Sequence, residues 1–228
     1  KEIITRESEN NNILDIRCEE VNIKTENEMV RRIVLDLKDT IRNTNECVGL
    51  AANQIGYDKR IFCINFSGDI RSFVNPIIAN AKGLTLSREK CMSVPGKEYL
   101  VPRNTEIEVH YLTPLGKVES RKIFGYAASI FQHELNHLDG ALISDIGLEI
   151  TEEYEKASEE ERSELIKAYL ESLDLKAKEL NKEIEEDKDL KQINDAIKFT
   201  EGLVKGEVEV ETEKFNDEQL KQVKNKKE

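Results

Sequence analysis

Gln132-His133-Glu134-Leu135-Asn136-His137-Leu138-Asp139-Gly140 is the stretch that decides how this chain is read. His133 and His137 stand four residues apart, so on a helix both rings share one face, one turn apart. Two imidazoles presented this way hold one divalent metal. Glu134, directly after the first, then reaches a water on that metal and takes its proton. The surroundings predict the helix. Tyr126 to Leu138 carries apolar residues around the polar set, and Asp139-Gly140 supplies the stop, with Gly140 suited to a C-cap. The chain has three histidines, and two of them are here. The plainer reading, an exposed helix that matches HExxH by accident, weakens as further motifs accumulate.

Of 228 residues, 35% are charged and 38% are apolar. Residues 151–228 hold 24 acids and 15 bases, −9 of the total −12, which leaves residues 1–150 with an ordinary globular balance. Neither part carries a basic stripe, so there is no direct nucleic-acid signal. No apolar run approaches the roughly 18 residues that span a bilayer, and no signal peptide is visible. Four cysteines, Cys18, Cys47, Cys63 and Cys91, do not make a disulfide scaffold in a chain of this size. A reducing, cytoplasmic setting is expected.

Outward from the central stretch, Thr25-Glu26-Asn27-Glu28 fits a capping box. Met29, Ile33, Leu37 and Ile41 follow at four-residue steps, predicting an amphipathic helix to about Asn43. Small residues cluster from Cys47 to Gly56 without helical or strand period. That pattern suits a tightly packed turn, or a loop whose backbone meets an extended ligand, with Gln54 offering an amide N–H. Strands are expected at Arg60–Phe66, at Phe73–Ile78 (broken by Pro76) and at Ala81–Leu86, and a hairpin from Glu106–Leu112 into Val118–Phe124. His110 falls on the polar side of that hairpin and reads as a surface residue. Cys91, before a Ser/Pro/Gly turn, reads as a loop ligand. Alone it would be a small buried residue, but with His133 and His137 it completes a three-ligand site with a fourth position open. Beyond Thr151, Ile166, Tyr169, Leu173, Ala177, Leu180 and Ile184 recur at three and four residues, and Leu190, Ile193 and Ile197 continue the stripe. One or two long charged helices are expected there, then a short strand at Glu207–Glu211 and a last helix capped at Asn216.

Three separated stretches together resemble the peptide deformylase family, whose motifs are GΦGΦAAxQ, EGCΦS and QHExDH (Φ apolar). They stand here as Cys47 to Gln54, Glu89 to Ser93 and Gln132 to His137, and Val101-Pro102-Arg103 is also similar. Cys47, Lys90 and Asn136 depart from the motifs, and no arginine stands in Gly96-Lys97-Glu98-Tyr99. The resemblance covers roughly residues 1–175. It implies an α+β domain of antiparallel strands around a central metal-binding helix, with residues 176–228 as a charged helical C-terminal extension to which it assigns no role.

The implied activity is hydrolysis of the formyl group from N-formylmethionyl ends of new polypeptides, at the ribosome, with release of formate. Cys91, His133 and His137 would hold the ion, ferrous iron in the family, with zinc or nickel able to replace it. Glu134 would move protons, Gln54 and the Met92 N–H would face the oxyanion, and Glu89 and Arg103 would orient ligands. Val48 and Gly49 would pair with the peptide backbone, with Lys90, Tyr126 and Ser129 also lining its groove. The C-terminal helix offers a homo-oligomer contact. Two rival readings stand beside this one. In the first, a zincin-type peptidase takes Glu149 as its third ligand. In the second, a deformylase-like protein of little activity acts as a binding module through its arm.

Overall fold

A computed structural model describes residues 1–186, and the expectations for Leu190–Ile197, Glu207–Glu211 and Asn216 lie outside them. Residues Lys1–Arg162 form one compact unit, and a second begins at Ser163. The elements are helix α1 (Asn27–Asn43) and strands β1 (Gly49–Ala51), β2 (Ile61–Phe66), β3 (Asp69–Lys82), β4 (Thr85–Cys91), β5 (Val94–Arg103), β6 (Glu106–Leu112) and β7 (Val118–Phe124). After them come helix α2 (Gly125–Leu138), short helix α3 (Ile143–Ile146), strand β8 (Leu148–Glu149) and helices α4 (Glu152–Lys156) and α5 (Glu159–Glu186). Among the described residues no helix is long and apolar enough to cross a membrane.

The strands form two antiparallel sheets, β1-β2-β3-β6-β7 and β4-β5-β8. Strand β2 is buried on both faces because successive side chains point opposite ways. Ile61 and Cys63 meet the α1 stripe of Val30, Ile33, Leu37 and Ile41. Phe62 and Ile64 meet Ala128, Phe131 and Leu138 of α2. Phe62, Phe73 and Phe131 stack edge-on or tilted with centroids 4.9–5.2 Å apart, which adds geometric preference to area burial. A third cluster joins Leu14, Cys91, Val94, Tyr99, Val101, Leu142 and Ile143 around the smaller sheet. The α+β arrangement around a central HExxH helix is therefore present, as is the β6–β7 hairpin with His110 exposed.

Four local expectations are corrected. Helix α1 starts at Asn27 with no side-chain cap, because Glu26 instead accepts from the Asn22 N–H and the Thr25 hydroxyl donates to the Asn22 carbonyl. The strand expected to break at Pro76 is one 14-residue strand, β3. The register shifts between Val74 and Ile77, so Pro76 sits in a bulge where its missing N–H is tolerated. Asn75, at φ 47°, is held there by bonds to both backbone groups of Val21. Ala81–Leu86 is not a strand, since the turn at Gly83-Leu84 divides β3 from β4. The small-residue stretch holds β1 and a 3₁₀ turn, Ala52–Ile55.

Candidate metal centre

The helix end that carries His137 is fastened from three sides. The Cys18 N–H and the Arg60 guanidinium both donate to the Leu138 carbonyl, and Arg60 also pairs with Asp139 at 2.7 Å. Asn53, buried in the 3₁₀ turn, donates its amide to the His137 carbonyl at 2.6 Å. These three groups take up carbonyls that a helix leaves unpaired. Gly140 follows at φ 75°, and a Cβ there would lie 2.8 Å from the Asp15 carbonyl carbon, so only glycine fits this stop.

Cys91, placed at the end of β4 rather than in an open loop, meets the helix here. The Cys91 Sγ, His133 and His137 donor atoms all lie within 4.8 Å of one another. His137 Nε2 is 3.3 Å from Sγ. His133 directs Nδ1 to Glu89 at 2.8 Å, which leaves its Nε2 lone pair for an ion. Glu89 in turn takes two bonds from Arg103, at 2.8 and 2.9 Å. Arg103 also donates to Asn136, so the amide at that departure from the motif keeps the link.

The electrostatics suit a cation. Burial holds the His137 imidazolium well below the usual range, so the ring stays a neutral ligand. Burial also works against charge on His133, but the contacts with Cys91 and Glu89 outweigh it and raise the ring to about 10. A divalent ion held by Cys91, His133 and His137 would supply the positive charge in place of that proton. Burial lifts Glu134 to about 7. Its Oε2 and His137 Nδ1 are buried with no hydrogen-bond partner, which is unusual for polar atoms outside a functional site. Two imidazoles, a thiol and a nearby carboxylate fit a borderline divalent metal.

Burial raises Glu89 as well, but the Arg103 and His133 bonds win and hold it at about 2. An acid depressed in the fold stabilises it above the ordinary carboxylate range and loses that contribution as pH falls. Glu89→Gln should therefore cost roughly 3 kcal/mol at pH 7 and almost nothing at pH 2. Thermal unfolding of both proteins across that range checks this, and a difference that does not change with pH would contradict it.

A cleft of about 870 Å³ opens onto the centre. Every residue expected to bind substrate lines it: Val48, Gly49, Lys90, Tyr126 and Ser129, together with Gln54, Met92, Glu89, Cys91, His133 and Glu134. Arg103 supports the site from below, through Glu89. Lys90 is 73% exposed and bonds Glu98 at 2.7 Å. Arg88, unnoticed in the sequence, supplies the wall with an arginine. Gln54 is buried, with Oε1 accepting from the Ala51 N–H and Nε2 donating to Ser93 Oγ. Asn53, Arg60 and Ser93 also build the site and carried no assigned role. Asn53 and Ser93 lie inside quoted motifs, whereas nothing local marks Arg60. Glu149 is engaged elsewhere, by Lys97 at 3.1 Å and Tyr99 at 3.3 Å, and it is not part of the ligand group.

Gly49 faces the base across the cleft. A Cβ on it would lie 2.9 Å from Glu134 Cδ, so the carboxylate must shift to admit an alanine. Gly49→Ala should lower kcat about 100-fold, in the range expected for displacing a proton-transfer group, with metal content unchanged. Wild-type kcat in this variant would show that Glu134 tolerates the shift.

Comparison with known proteins agrees with this geometry. The family described as polypeptide deformylase matches residues 2–153. A peptide deformylase of Symbiobacterium thermophilum is 35% identical over 142 residues, 61% of this chain, and the chain spans 65% of that relative's length. One from Pelagibacter ubique is 40% identical over 121 residues, covering 50% of this chain and 70% of the relative. Among solved structures, a class I type b peptide deformylase from Acinetobacter baumannii with Met-Ala-Ser bound superposes with a TM-score of 0.58 at 26% identity, covering 63% of this chain and 96% of that one. A Plasmodium falciparum deformylase in complex with inhibitor gives 0.56 at 30% identity, covering 63% and 88%. With matching motifs, fold and ligand group, this chain belongs to the polypeptide deformylase family.

Proposed function

We propose that this chain hydrolyses the formyl group from N-formylmethionyl peptides, using Cys91, His133 and His137 as metal ligands and Glu134 as proton carrier. The observation that carries the reading is the Cys91–His133–His137 group beside an unpartnered, buried Glu134 oxygen. A divalent ion bound there supplies a Lewis acid able to bring the pKa of water from about 16 toward about 7.

The chain's own residues do the rest. Among the described residues strand β1 pairs only with β2, so its outer edge, at Gly49 and the preceding Val48, is open to an extended peptide as an added strand. Met92, Val94 and Ile130 give the cleft an apolar wall suited to a methionine side chain. Glu134 takes a proton from the attacking water, whose oxygen bonds to the formyl carbon. The oxyanion formed there receives hydrogen bonds from the Gln54 amide and the Met92 N–H. Glu134 then passes its proton to the departing amine, the C–N bond breaks, and formate and a free N-terminus result.

Ferrous iron is the proposed resident ion, and zinc and nickel fit the same donor set. Four buried cysteines, all free, support a reducing cytoplasmic setting in which new peptides leave the ribosome. We assign residues 1–175 to the catalytic domain and 176–228 to an extension. The half-buried stripe of Ile166, Tyr169 and Leu173 on α5 supports a contact with a second copy. Formate release from formyl-Met-Ala-Ser by protein loaded anaerobically with ferrous iron, or with nickel, tests the function. Turnover is expected with both. One bound metal per chain without formate release would overturn the reading and favour the binding-module alternative.

A further inference from the structure

Ser93 is fully buried and bonds to the site's working groups on every side. Its hydroxyl donates to the Ile4 carbonyl at 2.7 Å. With that proton committed, its oxygen accepts from Gln54 Nε2 at 3.0 Å. Its own N–H donates to Cys91 Sγ at 3.4 Å. Its carbonyl accepts from the Arg6 N–H at 2.9 Å, and the Ile4 N–H donates to the Gln54 carbonyl at 2.7 Å. A stretch from residue 4 to residue 6 thus bridges the Gln54 turn and the Cys91 turn, and Ser93 is the side chain through which the bridge reaches the glutamine.

Gln54 has one oxygen and two amide protons. The Ala51 N–H occupies the oxygen and Ser93 takes one proton, and only the two bonds together fix the amide plane. The second proton lies toward Cys91 Sγ, with Nε2 4.0 Å from the sulfur, a contact long enough for an oxyanion in the cleft lined by Gln54 to displace it. Without the Ser93 oxygen, the amide could rotate about its last bond and lose that aim. An oxyanion donor works through being held in place before charge develops.

We propose that the Ser93 hydroxyl is a positioning group that aims the Gln54 amide at the formyl oxygen. The inference rests on the deformylase reading through Gln54. Ser93→Ala keeps the backbone N–H to Cys91 and removes only the hydroxyl. Its kcat should fall about 10- to 100-fold, short of the loss of a whole donor, with KM for formyl-Met-Ala-Ser within about threefold of wild type and one metal bound per chain. In a Gln54→Ala background the same substitution should cost less than about twofold, since residues acting through one contact are not additive. A loss of equal size in both backgrounds would mean general damage and overturn the proposal, as would unchanged kcat.

The second readout needs no turnover. In zinc-loaded, glutamine-labelled protein, the two Gln54 amide protons should be separated in NMR well beyond a glutamine in an unfolded peptide, and should converge on that reference in Ser93→Ala. A reference-like separation in the unmodified protein overturns the proposal even if the variant does not fold. If formate release fails while the separated pair is present, it is the deformylase reading that falls.

Discussion

Glu134→Gln should bind one metal per chain and turn over at least about 10³-fold more slowly, the scale of a lost general acid–base group. Glutamine has the same shape and keeps a carbonyl oxygen, but it cannot accept and return a proton. A stability measurement separates this from damage to the fold. Burial raises Glu134 to about 7, so ionising it costs folding free energy as pH rises from the ordinary carboxylate range through 7. Glutamine escapes that cost. Chelator-treated Glu134→Gln should therefore melt no lower than wild type at pH 8 and converge with it near pH 4. Retained turnover would remove Glu134 from the reaction. A depressed melting point at pH 8 would show that the loss was structural.

Cys91→Ser should lower metal affinity by more than about 100-fold, beyond the usual effect of losing a supporting hydrogen bond, and abolish formate release at stoichiometric metal. The reason is the donor's ionisation. A thiolate is a strong ligand for iron, zinc or nickel, while a serine hydroxyl stays protonated near neutral pH. No other described His, Cys, Asp or Glu joins the group in its place. Glu149, which could have served a zincin-type site, is bonded to Lys97 and Tyr99. A Cys91→Ser protein that still bound metal tightly would reopen that rival.

What the sequence reveals here depends on distance along the chain. Helix α1 shows itself through Met29, Ile33, Leu37 and Ile41, because a helix repeats its buried face every turn. The β6–β7 hairpin shows itself through the alternation of Glu106 to Leu112 and the Pro114-Leu115-Gly116 turn after it. The two histidines are legible for the same reason, since helical spacing alone places them together. Strand β5 is hidden, since Pro95, Gly96, Lys97 and Glu98 give it no apolar alternation, and its partners lie across a hairpin and in β8. The Thr25 cap fails because Asn22, three residues earlier, captures both Thr25 and Glu26. The groups that hold the site in place are the least legible. Asn53 reaches His137 across 84 residues, Arg60 reaches Leu138 across 78, and Ser93 reaches Ile4 across 89. No periodicity records such meetings.

One ligand ends a strand of the three-stranded sheet, and the other two ride on a helix packed against the five-stranded one. Cys91 and His137 are 46 residues apart in the chain. An ion cannot gather such donors from an unfolded chain cheaply, because a long loop must close before any coordinate bond rewards it. Loading therefore follows folding here rather than driving it, unlike a zinc finger, whose metal is its core. The refolding rate should be the same with and without metal. The ion's contribution should appear in the reverse direction, as slower escape from the native state, since its bonds form only after the two sheets have met.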